Sequence, residues 1–165
     1  MAREEDTGKT PAELETQAWD LAEKIQFALF TTVDNGQIQQ WPLTANVDRE
    51  AGALYFLVDN GGQYDHLGKN PKVSLGFADH PKYVVISGDA LISNDRAKIK
   101  ELWSPFAKAW WDSADDPRIR LLTVMPGRAE FWDSGNSLVA AAVMLTAAVT
   151  GSKPKVGEHA TVQLD

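Results

Sequence analysis

The side chains with the most evident chemical use in this sequence are flat ones. Trp41 stands beside Pro42, Leu43 and Thr44, while Trp103, Trp110 and Trp111 crowd one short stretch. An indole offers an apolar face for stacking on a planar heterocycle, although aromatic residues at helical spacing serve equally well in a core or a subunit interface. Ser87-Gly88 marks a strand position where either a ring or a neighbouring backbone comes close, or where a bulge sits. The groups needed for acid, base or nucleophilic chemistry are scattered. His66, His80 and His159 fall on a helix end, a turn and the tail, with no clustered carboxylate, and read as surface residues. Asp112, Asp115 and Asp116 match no calcium loop, so capping or solvation accounts for them.

Composition narrows the field. The chain has 165 residues, enough for one domain with a real core. It contains no cysteine, which excludes disulfides, thiolate nucleophiles and cysteine-ligated metals, so redox chemistry would need a bound cofactor. A net charge of -7 opposes nucleic acid as a partner. No apolar run reaches the ~20 residues of a membrane span, and the charged start from Met1 to Thr10 lacks a signal core, so the expected location is the cytoplasm. Residues 1–10 are expected to be a flexible start, 11–150 a single domain and 151–165 a fraying tail.

Local signals supply the elements. Thr10 and Pro11 open a helix whose apolar positions Leu14, Ala18, Leu21, Ala22 and Ile25 recur at three- and four-residue steps. Phe27 to Val33 predicts a strand, Asp34-Asn35-Gly36 a tight turn, and Gln37 to Val47 the returning strand. Leu54 to Val58 is wholly apolar, as for a central strand covered on both faces. Asn70-Pro71 introduces Lys72 to Ala78, and Asp79-His80-Pro81 turns into Tyr83 to Ile92. Asn94 or Asp95 caps a helix through Ile99, Leu102 and Trp103, and Pro105 begins an aromatic segment. Ile119 to Met125 and Arg128 to Trp132 bring the count to about seven mostly antiparallel strands, followed by an apolar segment from Leu138 to Val149. The fold class is mainly β, a barrel with peripheral helices.

Several marks in order resemble one family: Thr31-Thr32-Val33-Asp34 with Gly36, Pro42-Leu43-Thr44, Leu54-Tyr55-Phe56, Asn70-Pro71, Ser87-Gly88, Leu102-Trp103-Ser104-Pro105 with Trp110, Asp116-Pro117, and Ala129-Glu130-Phe131-Trp132. Across roughly residues 14 to 157 the chain resembles the flavin-binding split barrels related to pyridoxamine 5'-phosphate oxidase, and within them proteins similar to general stress protein 26. The resemblance implies a split barrel and a homodimer with FMN in a groove between subunits. It places the cofactor against Trp41, Pro42, Leu43 and Thr44, against Leu57, Val58, Asp59 and Gln63, and against Ser87, Trp103 and Trp110. No catalytic side chain and no metal are implied, because the flavin itself carries the electron chemistry.

A phosphate in such a groove needs charge-assisted donors. Relatives commonly carry an arginine where this chain has Trp41, a threonine where it has Val58, and a lysine where it has Gln63. Removing one charged phosphate partner costs about 1.5 to 3 kcal/mol, so removing two weakens binding roughly a hundredfold unless other groups substitute. Lys69, Lys72 or Arg49 could reach the phosphate from another direction, or Gly61-Gly62 could present backbone N–H groups. Two functions follow: an FMN-binding stress-type protein, an oxidoreductase of unknown substrate but not a true pyridoxamine phosphate oxidase; or a non-catalytic split-barrel dimer that binds another flat ligand or serves as a scaffold.

Overall fold

In a computed structural model, described over residues 8–135, 145–151 and 157–164, the chain opens with helix α1, Pro11–Ile25. Its N-terminus carries a reciprocal capping box. The Thr10 hydroxyl accepts the Glu13 N–H at 3.3 Å, while the Glu13 carboxylate accepts the Thr10 N–H at 2.8 Å. Thr10→Ala is expected to lower stability by about 1 kcal/mol, read as a shift in the urea midpoint. The Glu13 carboxyl is held below its ordinary value by the Thr10 backbone bond first and the Thr10 hydroxyl second. Its contribution is therefore present above the ordinary glutamate range and lost as pH falls through the depressed folded value. The gap between wild type and Thr10→Ala should narrow in acid.

Strands β1 (Phe27–Asp34) and β2 (Gln37–Thr44) form a two-residue hairpin, with Asp34 opposite Gln37. Asn35 (φ 49°) and Gly36 (φ 78°) supply the left-handed pair that this turn demands. There follow β3 (Asn46–Asp48), β4 (Ala53–Asp59), a 3₁₀ turn at Asp65–Gly68, β5 (Lys72–Asp79) and β6 (Lys82–Ser93). Helix α2 (Arg96–Leu102), capped by Asp95, and a 3₁₀ segment at Pro105–Ala109 precede β7 (Ile119–Asp133); residues 145–150 are helical, and β8 spans Glu158–Gln163. The described strands make one antiparallel sheet ordered β2-β1-β5-β6-β7-β4-β3, with β8 beside β7.

One face of this sheet curls around a common core. Phe30 of β1, Phe77 of β5, Phe131 of β7 and Phe56 of β4 lie fully buried in a single apolar cluster, closed by Ala18, Leu21 and Ala22 of α1. The expected split barrel is thus present. A second, smaller cluster of Ile99, Ala107, Trp111, Ile119 and Leu121 packs the helical insertion on Tyr55 and Leu57.

Three expectations are corrected. β4 has both faces covered, one by each cluster, yet it stands next to the sheet's end rather than at its centre. The two strands anticipated on either side of Pro126-Gly127 are one, since a register shift opposite Ser87/Gly88 absorbs the extra residue as a bulge. Proline and glycine there mark an irregularity, not a stop. Residues 158–163, anticipated as frayed tail, pair with β7, and Lys9 and Gln17 both donate to the Glu158 carboxylate at 2.7 and 3.1 Å. Of the apolar segment 138–149, residues 138–144 lie outside the described part.

The insertion is held from below by Arg96, whose guanidinium donates to the carbonyls of Ala114 (2.7 Å), Asp116 (3.1 Å) and Ile119 (3.1 Å). Its acidic loop is paired rather than poised: Asp115 meets Lys100 and Asp116 meets Arg118, each at 2.9 Å. These partners hold both carboxyls below their usual range.

Candidate functional site

Alternation along β1, β5 and β6, interrupted in β7 by the bulge, divides this part of the sheet into a buried inner face and an outer face. On the outer face several large apolar side chains stand exposed: Phe27, Leu29, Ile38, Tyr83, Leu91 and Met125. Crossing these strands is a row of polar residues set by register. Thr31 of β1 lies opposite Ser74 of β5, Ser74 opposite Ser87 of β6, and Ser87 opposite Arg128 of β7. Gln40 and Gln163 extend the row at its two ends, and the Gln40 amide donates to the Thr31 hydroxyl at 2.9 Å.

An open groove of about 690 Å³ runs beside this row, bordered also by Val33, Lys72, Asp89 and Met125. That volume suits a ligand of cofactor size. The groove sits where β6 and β7 shift register. There Gly88 brings the two backbones so close that a Cβ would lie 2.2 Å from the Met125 carbonyl oxygen.

The structure distributes the residues expected to bind cofactor over several places. Ser87 lines the groove, and Pro42 and Thr44 are exposed. Leu57 and Trp103 pack in the smaller cluster, whereas Trp110 is 76% exposed beyond it. Asp59, at the end of β4, accepts the Trp111 indole N–H at 3.2 Å. Val58 is buried in the main core, and Trp41 and Leu43 pack against that core from β2.

Trp41 and Gln63 converge on one atom. The Trp41 indole N–H donates to the Tyr64 hydroxyl at 2.9 Å, and the Gln63 side chain bonds the same phenol. Burial raises the Tyr64 phenol above its ordinary value, and these two bonds oppose the rise. Trp41 also meets the Phe30 and Tyr64 rings, with centroids 5.3 and 5.5 Å apart. The two positions where the resemblance implies phosphate-binding cations are thus joined here through a phenol. Tyr64 was missed in the sequence, although it adjoins Gln63.

The alternative cations fare unequally. Arg49 is committed to Asp20 and Glu23, the Asp20 bond being the largest cause that raises its pKa. Lys72 pairs with Asp89 at 2.7 Å. An Asp65 carboxylate oxygen lies beside Gly62, where an external anion would meet like charge. Two of the three histidines are not simple surface residues. His66 shares a 2.8 Å bond with the buried Thr32 hydroxyl, and His159 meets Glu130 at 2.8 Å while stacking on Trp132. Local sequence shows none of these partners, because each is brought by a distant strand.

Among the described residues no group of three His, Asp or Glu side chains is placed to hold a metal, and no helix is long and apolar enough to cross a membrane. Comparison with known proteins decides the lineage: the profile of the family "Pyridoxamine 5'-phosphate oxidase like" matches residues 13–155. The chain belongs to that family. Among solved structures, a candidate general stress protein 26 from Jannaschia sp. CCS1 superposes with a TM-score of 0.72 at 27% identity, covering 92% of this chain and 99% of its own. A candidate general stress family protein from Xanthomonas campestris gives 0.67 at 26%, covering 78% and 92%. The general stress FMN/FAD binding protein of Xanthomonas citri gives 0.67 at 24%, covering 76% and 92%. No curated protein sequence matches. For this pyridoxamine 5'-phosphate oxidase-like chain, Arg128 and Ser74 are groove residues that sequence reading did not single out, and Thr31 figured there only as a family mark; strand alternation hints at their common face, but only register aligns them.

Proposed function

We propose that this protein is a homodimeric flavin-binding split barrel of the general stress type, holding the flavin on the outer sheet face where two copies meet. The observation that carries this reading is the groove itself: hydroxyls and a guanidinium in one row, beside a bulged strand pair, on a sheet face that also exposes apolar side chains. Apolar surface of this kind gains from being covered, and a second copy presents the same self-complementary face. The flavin-binding relative from Xanthomonas citri supports the ligand class.

The residues present fit such a group. Val33 at one end of the groove and Met125 at the other offer apolar contact, and Thr31, Ser74 and Ser87 between them offer hydroxyls to a polar tail. A bound flavin would supply the electron chemistry, making the protein an oxidoreductase without catalytic side chains of its own. A second reading, a dimer that takes a flat ligand without phosphate, draws support from Trp41 and Gln63 being engaged with Tyr64.

Titration of the purified protein with FMN and with riboflavin, followed by flavin fluorescence and by sedimentation, tests both. Saturable binding at one flavin per chain, by a dimer, is the expected result. Equal affinity for the two flavins would favour the second reading. A monomer that leaves both flavins free would refute the proposal.

A further inference from the structure

We infer that Tyr64 is a plug: its ring, pinned by Trp41 and Gln63, fills the space where the resemblance implies an FMN phosphate, so that the protein selects a flat ligand whose tail carries no phosphate. The inference rests on the second reading above and names the residue that sets the ligand class.

Three rings close on one another where β2 passes the loop after β4. Phe30 and Trp41 have centroids 5.3 Å apart, Trp41 and Tyr64 5.5 Å, and Phe30 and Tyr64 6.1 Å, the last two pairs meeting edge to face. Aromatic neighbours favour this arrangement, and it leaves Tyr64 only 5% exposed. The corner is shut. Val58, near the end of β4, and Leu67, in the turn that follows, belong to the same buried cluster, so methyl groups stand where a phosphate would need a hydroxyl.

Polarity is spent within the trio of Trp41, Gln63 and Tyr64 rather than offered outward. The Trp41 indole has a single N–H, and that proton is donated to the Tyr64 hydroxyl at 2.9 Å. The Gln63 side chain bonds the same hydroxyl. A phosphate needs charge-assisted donors, yet the charged residues nearest to Gln63 and Tyr64 along the chain are the carboxylates of Asp59 and Asp65. A dianion brought to this corner would displace a packed ring, break both bonds to the phenol and meet like charge. An uncharged tail that ends short of the corner meets none of these costs.

FMN and riboflavin differ only in the phosphate, so the ratio of their affinities reads the plug. Wild type is expected to bind riboflavin at least as tightly as FMN. Gln63→Lys alone, which adds a cation but leaves the three rings in place, should keep that ratio. Gln63→Lys combined with Tyr64→Ser, which adds the cation and clears the ring, should tighten FMN binding by about ten- to a hundredfold and leave riboflavin unchanged. Wild type and Gln63→Lys, both with an intact core, decide the matter even where the double variant does not fold. A wild type that prefers FMN, a Gln63→Lys protein that binds FMN tenfold more tightly, or a folded double variant with the wild-type ratio overturns the plug while the flavin reading stands. Failure of wild type to bind either flavin overturns both.

Discussion

Gly88→Ala is expected to destabilise the protein by about 3 kcal/mol or more, the largest loss among the glycines of this sheet. The new Cβ would lie 2.2 Å from the Met125 carbonyl oxygen and 2.9 Å from the Met125 carbonyl carbon and the Pro126 Cα. These are backbone atoms of the paired strand. They cannot retreat as a side chain would, and moving them breaks the β6–β7 ladder where the register shifts. Gly127→Ala provides the comparison, because nothing lies within 4 Å of its would-be Cβ. Urea denaturation of the two variants should show a normal midpoint for Gly127→Ala and a collapsed one for Gly88→Ala. Equal midpoints would mean that the strands do not approach so closely. The groove depends on the same approach, so residual folded Gly88→Ala should also bind flavin poorly.

Trp41→Arg should be the next most costly change, at about 3 kcal/mol, and should not restore a phosphate site. The indole packs on Phe30, a residue with no exposed surface, and donates to the Tyr64 hydroxyl. A guanidinium there would lose the ring contacts and set a charge against the core beside a phenol already raised by burial. Trp41→Phe, which keeps an aromatic ring but loses the N–H, should cost less, about 1 kcal/mol for the bond. Thermal unfolding of both variants, with FMN titration of whichever stays folded, checks the prediction. Tighter FMN binding by a stable Trp41→Arg protein would show that position 41 faces the ligand after all.

What the sequence revealed was local in origin. Thr10 with Glu13 and Pro11 announced α1 because a cap is written within one turn of helix, and Asn35-Gly36 announced the first hairpin because two left-handed residues suffice for it. The family was legible too, since its marks are short and ordered along the chain. Strand β8 was overlooked although Ala160, Val162 and Leu164 alternate with polar neighbours, a period-two signal masked by the polar company of the last residues.

The groove was not legible, for a physical reason. Thr31, Ser74, Ser87 and Arg128 are separated by long stretches of chain, and a one-residue slip in any pairing would send one of them to the opposite face. The bulge at Gly127 is the case in point: it restores Arg128 to the line after Pro126 has left it. Likewise Trp41 and Gln63 could be recognised as replacements, but that both reach for Tyr64 depends on how β2 meets the loop after β4.

The place of β8 bears on how the sheet avoids open-ended, edge-to-edge pairing. Along Arg128 to Asp133, β7 has β6 on one flank and β8 on the other. A chain shortened before Glu158 would leave unsatisfied amides and carbonyls along that stretch, a docking rail for any extended peptide, including the same segment of another molecule. The final strand thus works as a sealing strip against runaway self-association.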